Sequence, residues 1–158
     1  MDCDTKYPIL LIHGTGFRDR KHLNYWGRIP AALEKWGATI FYGHQDSWAN
    51  IEYNADILKN NLTQILAESN CEKVNIIAHS KGGLEARYMI SSLGMADYVA
   101  SLTTVATPHH GSKTMDLLLR LPNWIYRTAA FSQIYFFGCL VMKTRIFLRQ
   151  AANFPQNT

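Results

Sequence analysis

The sequence has few cysteines, and their spacing argues against folds that depend on disulfides or on bound zinc. Only Cys3, Cys71 and Cys139 occur in 158 residues, and no Cys-x-x-Cys pair is present. An odd number of widely separated cysteines argues against both a disulfide framework and a zinc knuckle, so inert thiols are expected. Residues 1–8 also lack the basic and apolar stretches of a secretory signal. The sequence as written therefore predicts a cytoplasmic protein.

Acidic residues are missing from the last quarter of the chain. Up to Asp116 there are 11 basic and 12 acidic residues, and after it there are 5 basic residues and no acidic ones. The net charge of +4 thus belongs to one tail, and the nearly neutral remainder argues against a nucleic-acid partner. The tail contains an uncharged stretch, 128–142, which is shorter than the roughly 20 residues of a membrane-spanning helix. It predicts an apolar lid or an interfacial helix that contacts a lipid surface.

Four short apolar runs are the first positive feature. Hydrophobic residues make up 47% of the chain and charged residues 18%, a balance that excludes intrinsic disorder. The runs are continuously apolar rather than alternating, which is typical of a parallel sheet covered by helices on both faces. They span residues 9–12, 39–42, 74–78 and 102–105.

Helical patterns separate these runs. They span residues 26–36, 51–68 and 84–92. In the first pattern, Ile29, Leu33 and Trp36 fall on one face, as in an amphipathic helix that packs against a core. The alternation of strands and helices predicts a three-layer α/β fold with a mostly parallel sheet and right-handed crossovers. No linker or repeat marks a domain boundary within it.

The clearest chemical motif follows the third apolar run. Ala78-His79-Ser80-Lys81-Gly82 fits a nucleophile elbow, a sharp turn between strand and helix, with alanine at the first small position. Ala78 and Gly82 leave room beside the strained serine backbone. Such a turn exposes the Ser80 hydroxyl and directs the amide of Lys81 towards a developing oxyanion. Ser80 is the predicted nucleophile, and His79 supports the turn without carrying a proton.

A second motif follows the first apolar run. In His13-Gly14-Thr15-Gly16, the two glycines allow a sharp turn that presents the Thr15 amide over the sheet edge as a second oxyanion donor. His13 is assigned a structural role in this loop. The alternative is a dinucleotide-binding loop, but its third glycine position is Asp19. The sequence predicts no cofactor and no metal, and it gives no prediction of the oligomeric state.

These motifs resemble those of the bacterial triacylglycerol lipases of the α/β-hydrolase fold. Four blocks carry the resemblance in the same order and spacing: 7–14, 25–30, 78–88 and 104–112. The resemblance implies hydrolysis of acylglycerols or similar lipid esters, with Ser80 as nucleophile and Thr15 and Lys81 as oxyanion donors. It also implies that residues 1–120 are the nucleophile half of a truncated hydrolase domain and that 121–158 are an apolar, basic tail. Many members of that family are secreted.

Lys81 departs from what most such lipases carry after the serine. Only its amide is required for the oxyanion, so its side chain is open to another role. Glu85 follows four residues later, the spacing of an ion pair on the surface of a helix. We therefore expect Lys81 and Glu85 to pair on the solvent-facing side.

The resemblance stops before the catalytic acid and histidine, which follow later strands in the family. Here no acidic residue follows Asp116 and no histidine follows His110. Asp97 with His109 or His110 would keep the chain order, but Asp97 precedes the fourth run and the histidines follow it, at the opposite strand end. Two hypotheses remain: an enzyme that needs a complementing segment, and a non-catalytic remnant. A thioesterase or amidase is a further alternative, because the elbow does not specify the acyl group.

Overall fold

The described part of the chain forms a sheet of four parallel strands. The computed structural model describes residues 3–16, 25–111 and 113. Within this part the strand order is β2-β1-β3-β4, and each pair is parallel. Each predicted apolar run forms one strand, with bounds β1 Ile9–Ile12, β2 Ile40–Tyr42, β3 Val74–His79 and β4 Val99–Val105.

Three helices connect the strands. Their bounds are α1 Ile29–Lys35, α2 Ile51–Ser69 and α3 Lys81–Ser92, and a single 3₁₀ turn, Ala96–Tyr98, precedes β4. The predicted alternation of strands and helices is confirmed. No helix within residues 3–16, 25–111 and 113 is both long and apolar enough to cross a membrane.

Helix α1 is shorter than its pattern predicted. Pro30 lies in its first turn, where the missing N–H group is tolerated, and Gly37 at φ 97° follows its end. Ile29 and Trp36, predicted on the packed face, are 54% and 47% exposed. That part of the prediction is wrong, because these two residues lie at the ends of the short helix. Leu33, in its middle, does pack against the core.

Apolar side chains on both faces of the sheet form the core. Leu10 and Ile12 of β1 point to the side that α2 and α3 cover, and their cluster includes Leu58 and Met89 of those helices. Ile9 and Leu11 belong to a separate cluster on the α1 side. Helices therefore cover both faces, and the predicted three-layer α/β architecture is confirmed. Burying each such side chain stabilises the fold by about 1.5–3 kcal/mol.

The two edge strands of the described sheet are β2 and β4. Of the described strands, β4 pairs with β3 alone, and Val105 is 44% exposed. Among the described residues, no strand pairs with the outer side of this seven-residue edge strand.

The chain divides into two units. The first contains all the strands and helices described above, in residues 3–47 and 51–107. The second includes residues 48–50 and 108–111, where the N–H of Gly111 donates to the Pro108 carbonyl at 3.1 Å. The predicted division between residues 120 and 121 and the apolar stretch 128–142 lie outside the described residues.

Candidate active site

Ser80 makes the turn from strand to helix by itself. Strand β3 ends at His79 and helix α3 begins at Lys81. The backbone of Ser80 has φ 54° and ψ −125°, a region that costs a residue with a side chain about 1–3 kcal/mol. The backbone around Ser80 thus has the sharp, strained turn that the sequence predicts.

Hydrogen bonds hold the strained serine in place. Its N–H donates to the Val105 carbonyl at 2.9 Å, which ties the turn to the end of β4. Its carbonyl accepts from the Thr107 hydroxyl at 2.9 Å and from the Gly83 N–H at 3.1 Å. The surrounding structure therefore compensates for the local strain.

Two glycines at the start of α3 allow the helix to approach its neighbours closely. A methyl group at Gly82 would lie 2.4 Å from the His13 carbonyl oxygen, and one at Gly83 would lie 2.1 Å from the Thr107 hydroxyl oxygen. Both distances are too short for any side chain. Gly82 is a predicted support of the elbow, whereas the contact between Gly83 and Thr107 is not evident from the sequence.

The loop that follows β1, residues 13–16, lies beside Ser80. We call it the β1 loop. A methyl group at Gly14 would lie 2.9 Å from the Ser80 Cβ, so glycine is required there as well. Gly16 has φ 89°, and Thr15 and Gly16 form a turn. The structure therefore brings the two predicted motifs together at the carboxyl edge of the sheet.

His13 is buried and only 1% exposed. Its Nδ1 donates to the Gly14 carbonyl at 2.8 Å, and its own carbonyl accepts from Gln45 Nε2 at 2.9 Å. Both bonds shape the β1 loop from within. They are the contacts of a structural residue.

His79 is half-buried and shares a hydrogen bond through Nδ1 with the Tyr25 hydroxyl. Their rings meet at a tilted angle of 58°. Burial raises the pKa of Tyr25 above its ordinary value, against a hydrogen bond with the Gly14 backbone that lowers it. The phenol therefore stays protonated at neutral pH, next to both motifs. Tyr25 lies within a block that carried the family resemblance, but the pattern alone gave it no role.

Lys81 and Glu85 form the predicted ion pair, with Nζ and Oε1 2.8 Å apart. Their side chains are 2% and 1% exposed, so the prediction of a surface pair is wrong. Every residue from 81 to 86 is buried. The reason is the close approach that Gly82 and Gly83 allow, because it brings the first turns of α3 into the interior.

The Glu85 carboxylate has a further partner in Asn54, whose Nδ2 donates a hydrogen bond to Oε1 at 2.6 Å. The amide of Gln45 lies close by. Burial raises the pKa of Glu85 to about 7, although Lys81 and the two amides lower it. No sequence pattern indicates this cluster, since its members are up to 40 positions apart.

The predicted acid and base candidates fall in different parts of the chain. Asp97 lies in the 3₁₀ turn before β4, whereas Ser80 follows the carboxyl end of β3, beside Val105. The length of β4 puts about 20 Å between those two ends, as expected from the sequence. His109 and His110 belong to the second unit.

Comparison with known proteins gives the family. The sequence model of the alpha/beta hydrolase fold matches residues 7–154, nearly the whole chain. This chain is an α/β hydrolase. Its parallel sheet, with helices on both faces and a serine at the strand-to-helix turn, is the architecture of that family.

The curated relatives of this chain include triacylglycerol lipases. It is 32% identical to the one from Pseudarthrobacter phenanthrenivorans over 146 residues, which cover 87% of this chain and 45% of that lipase. It is 35% identical to the one from Vibrio cholerae serotype O1 over 115 residues, which cover 72% of this chain and 36% of that lipase. The hydrolase chain therefore spans less than half the length of these relatives.

Solved structures show the same fold. The mature lipase BlEst2 of Bacillus licheniformis matches with a TM-score of 0.70 at 21% identity, covering 94% of this hydrolase and 58% of that chain. A metagenomic carboxyl esterase matches with a TM-score of 0.62 at 12% identity, covering 96% of this hydrolase and 46% of that chain. Both likenesses are structural, since the sequences have diverged widely.

Proposed function

We propose that this α/β hydrolase is the nucleophile half of a lipase-like serine carboxylester hydrolase. In the proposed mechanism Ser80 Oγ attacks the ester carbonyl and forms an acyl-enzyme, which water then hydrolyses. The N–H groups of Thr15 and Lys81 stabilise the tetrahedral oxyanion. The observation that carries the proposal is the strained Ser80 turn with Gly14 of the β1 loop directly beside it.

The start of α3 supports the oxyanion assignment. Lys81 is the first residue of a 12-residue helix, and the first N–H groups of a helix have no partner within it. The helix dipole favours negative charge at the same place. The ammonium group of Lys81 is buried against Glu85, so the amide of Lys81 acts in this proposal and its side chain does not.

A base and an acid complete the proposed relay. We assign both to a segment that complements this chain, because no histidine follows His110 and no acidic residue follows Asp116. The second candidate is a non-catalytic protein that retains the elbow, and the position of Asp97 at the far end of β4 from Ser80 favours it.

An active-site probe separates the two candidates. The oxyanion donors alone retain an acceleration of about a thousandfold when the base and acid are missing. We therefore expect a fluorophosphonate to label the purified chain slowly and covalently, and Ser80→Ala to abolish the label. Ser91→Ala, which removes an exposed serine hydroxyl at the end of α3, is the matched control and should label like the parent. Absence of labelling in the parent chain supports the remnant and contradicts the enzyme.

The proposed substrate is a lipid or similar carboxylic ester. The similarity to two triacylglycerol lipases supports it. A series of p-nitrophenyl esters, with a matched thioester and an anilide, tests the acyl group and the leaving group. Faster turnover of the thioester or the anilide would favour the thioesterase or amidase alternative.

Contact with a lipid surface is a separate part of the proposal. The uncharged stretch 128–142, flanked by Arg127 and Lys143, is the sequence feature that supports it. Co-sedimentation with vesicles of neutral phospholipid, with and without residues 128–158, tests it. Equal sedimentation of the two chains would contradict it.

A further inference from the structure

The Lys81–Glu85 pair belongs to a buried polar cluster behind the Ser80 turn. The residues of the first unit that form the cluster come from α3, α2, the β1 loop and the loop after β2, residues 43–47, which we call the β2 loop. Lys81 and Glu85 lie on the turn of α3 that follows the nucleophile. The cluster therefore contacts the nucleophile helix at its first residue.

Asn54 links Glu85 to the β2 loop. Its Nδ2 donates to Glu85 Oε1 and to the Asp46 carbonyl, both at 2.6 Å. Its Oδ1 accepts from the Asp46 N–H at 3.1 Å. This side chain thus holds Asp46 of the β2 loop by both its N–H and its carbonyl group and ties that residue to α3.

Gln45 links the cluster to the β1 loop. It is 3% exposed, and its Nε2 donates to the His13 carbonyl at 2.9 Å. A methyl group built at Gly82 would lie nearest to the same His13 carbonyl oxygen. The β1 loop is therefore held by the residue next to Asp46, and Asp46 is the residue of the β2 loop that Asn54 ties to Glu85.

A buried ion pair is a weak source of stability, because desolvation of two charges offsets their attraction. Apolar residues of similar volume often stabilise a fold as well as a buried ion pair does, or better. A buried polar cluster instead positions the groups that it joins, since each hydrogen bond fixes a distance and a direction. Here the positions fixed are those of the β1 loop and the first turn of α3.

We infer that Lys81, Glu85 and Gln45 are positioning residues that hold the β1 loop in register with the nucleophile turn, so that the amides of Thr15 and Lys81 converge on one oxyanion. The inference deepens the proposed function and rests on it for the identity of the oxyanion. The fixed register of the two loops is a property of the folded chain and is measurable without substrate.

The first test measures amide hydrogen exchange in peptides that cover the β1 loop and the β2 loop. In Lys81→Met/Glu85→Leu, which keeps the volume of the pair and removes its charges, we expect exchange in both loops to rise about tenfold or more. The matched control is Gln64→Leu/Glu68→Leu, which removes an exposed pair of the same i,i+4 spacing on α2. In the control both loops should exchange as in the parent.

The second test measures the kinetics of fluorophosphonate labelling of Ser80. Loss of register should lower the maximal labelling rate about 10- to 100-fold while the concentration for half-maximal rate changes less than about twofold. Glu85→Gln keeps an acceptor for Asn54 and should recover part of the rate. A merely structural role would instead lower the thermal midpoint and leave the labelling rate of the folded fraction unchanged.

The outcomes are distinguishable. If the parent chain is not labelled but the loops of the double variant exchange faster, the positioning inference stands and the proposed function fails. If both loops exchange as in the parent, the inference is overturned whatever the labelling shows. Should the double variant fail to fold, Gln45→Leu, which leaves the ion pair in place, replaces it: faster exchange in the β1 loop supports the inference and unchanged exchange overturns it.

Discussion

At the scale of single residues, the backbone of Ser80 is the most informative feature of this chain. Its positive φ is compensated by partners on β4 and just beyond it, so the strain depends on the fold and not on local sequence. The motif predicted the sharp turn because small residues at 78 and 82 are needed only where a strand and a helix meet closely. The partner Thr107 could not be predicted, because it is 27 positions away.

The strain at Ser80 has a measurable free energy. Ser80→Gly and Ser80→Ala both remove the hydroxyl, but only glycine adopts φ 54° and ψ −125° without a steric cost. We expect the glycine variant to have a free energy of unfolding about 1–2 kcal/mol above that of the alanine variant. Urea denaturation of the two variants measures the difference, and an alanine variant of equal or greater stability would contradict the strain.

Gly82 gives a second prediction at this scale. In Gly82→Ala the new methyl group meets a backbone oxygen at 2.4 Å, which cannot move away as a flexible side chain can. We expect a loss of about 2–3 kcal/mol in the free energy of unfolding. The matched control is Gly94→Ala, where no atom lies within 4 Å and only the positive φ of 72° opposes the change. If both variants lost the same free energy of unfolding, the close packing at the start of α3 would contribute nothing to stability.

At the scale of elements, the sequence predicted where helices and strands occur better than which surfaces they bury. Continuous apolar runs predicted all four strands of the described sheet because parallel strands are covered on both sides. For α3 the spacing of Lys81 and Glu85 predicted a pair but not its burial. The pair is buried because Gly82 and Gly83 let helix α3 pack closely against its neighbours. The spacing of residues along a helix carries no information about how closely that helix packs.

The buried carboxyl of α3 predicts how stability depends on pH. The folded chain holds the Glu85 proton up to about pH 7, whereas the unfolded chain releases it near the ordinary pKa of about 4.3. In this window the folded state binds more protons, so the Glu85 contribution to the free energy of unfolding falls as pH rises and levels off above pH 7. The slope reaches about 1.4 kcal/mol per pH unit.

Glu85→Gln isolates this contribution. Urea denaturation from pH 5 to 8 should show that the variant has lost the downward slope, while Glu68→Gln, an exposed change on α2, keeps it. A parent whose stability rises between pH 5 and 7 relative to Glu85→Gln would contradict the raised pKa.

At the scale of the whole molecule, the described sheet ends in an edge strand, β4, that is longer than the three-residue strand at the other edge. Of the four strands described, β4 has seven residues and its neighbour lies on one side only. Unpaired parallel edges associate with other chains. The sequence predicted the strand but not the extent of its edge, because it begins three residues before its apolar run.

A lysine on this edge should reduce self-association. Thr103→Lys places a charge at an exposed position of β4, and Thr63→Lys places the same charge at an exposed position of α2. We expect light scattering at a given protein concentration to fall several-fold for the first variant and to stay at the parent value for the second. Equal scattering from all three chains would show that the edge does not mediate association.

Lys81 contributes to two parts of the molecule, because its main chain begins helix α3 and its side chain ends at a carboxylate inside the fold. A mutant library that randomises position 81 would therefore also select for tolerance of a buried carboxylate without its cationic partner. When segments are exchanged with a relative that carries a neutral side chain at position 81, positions 45, 54, 81 and 85 should be exchanged together.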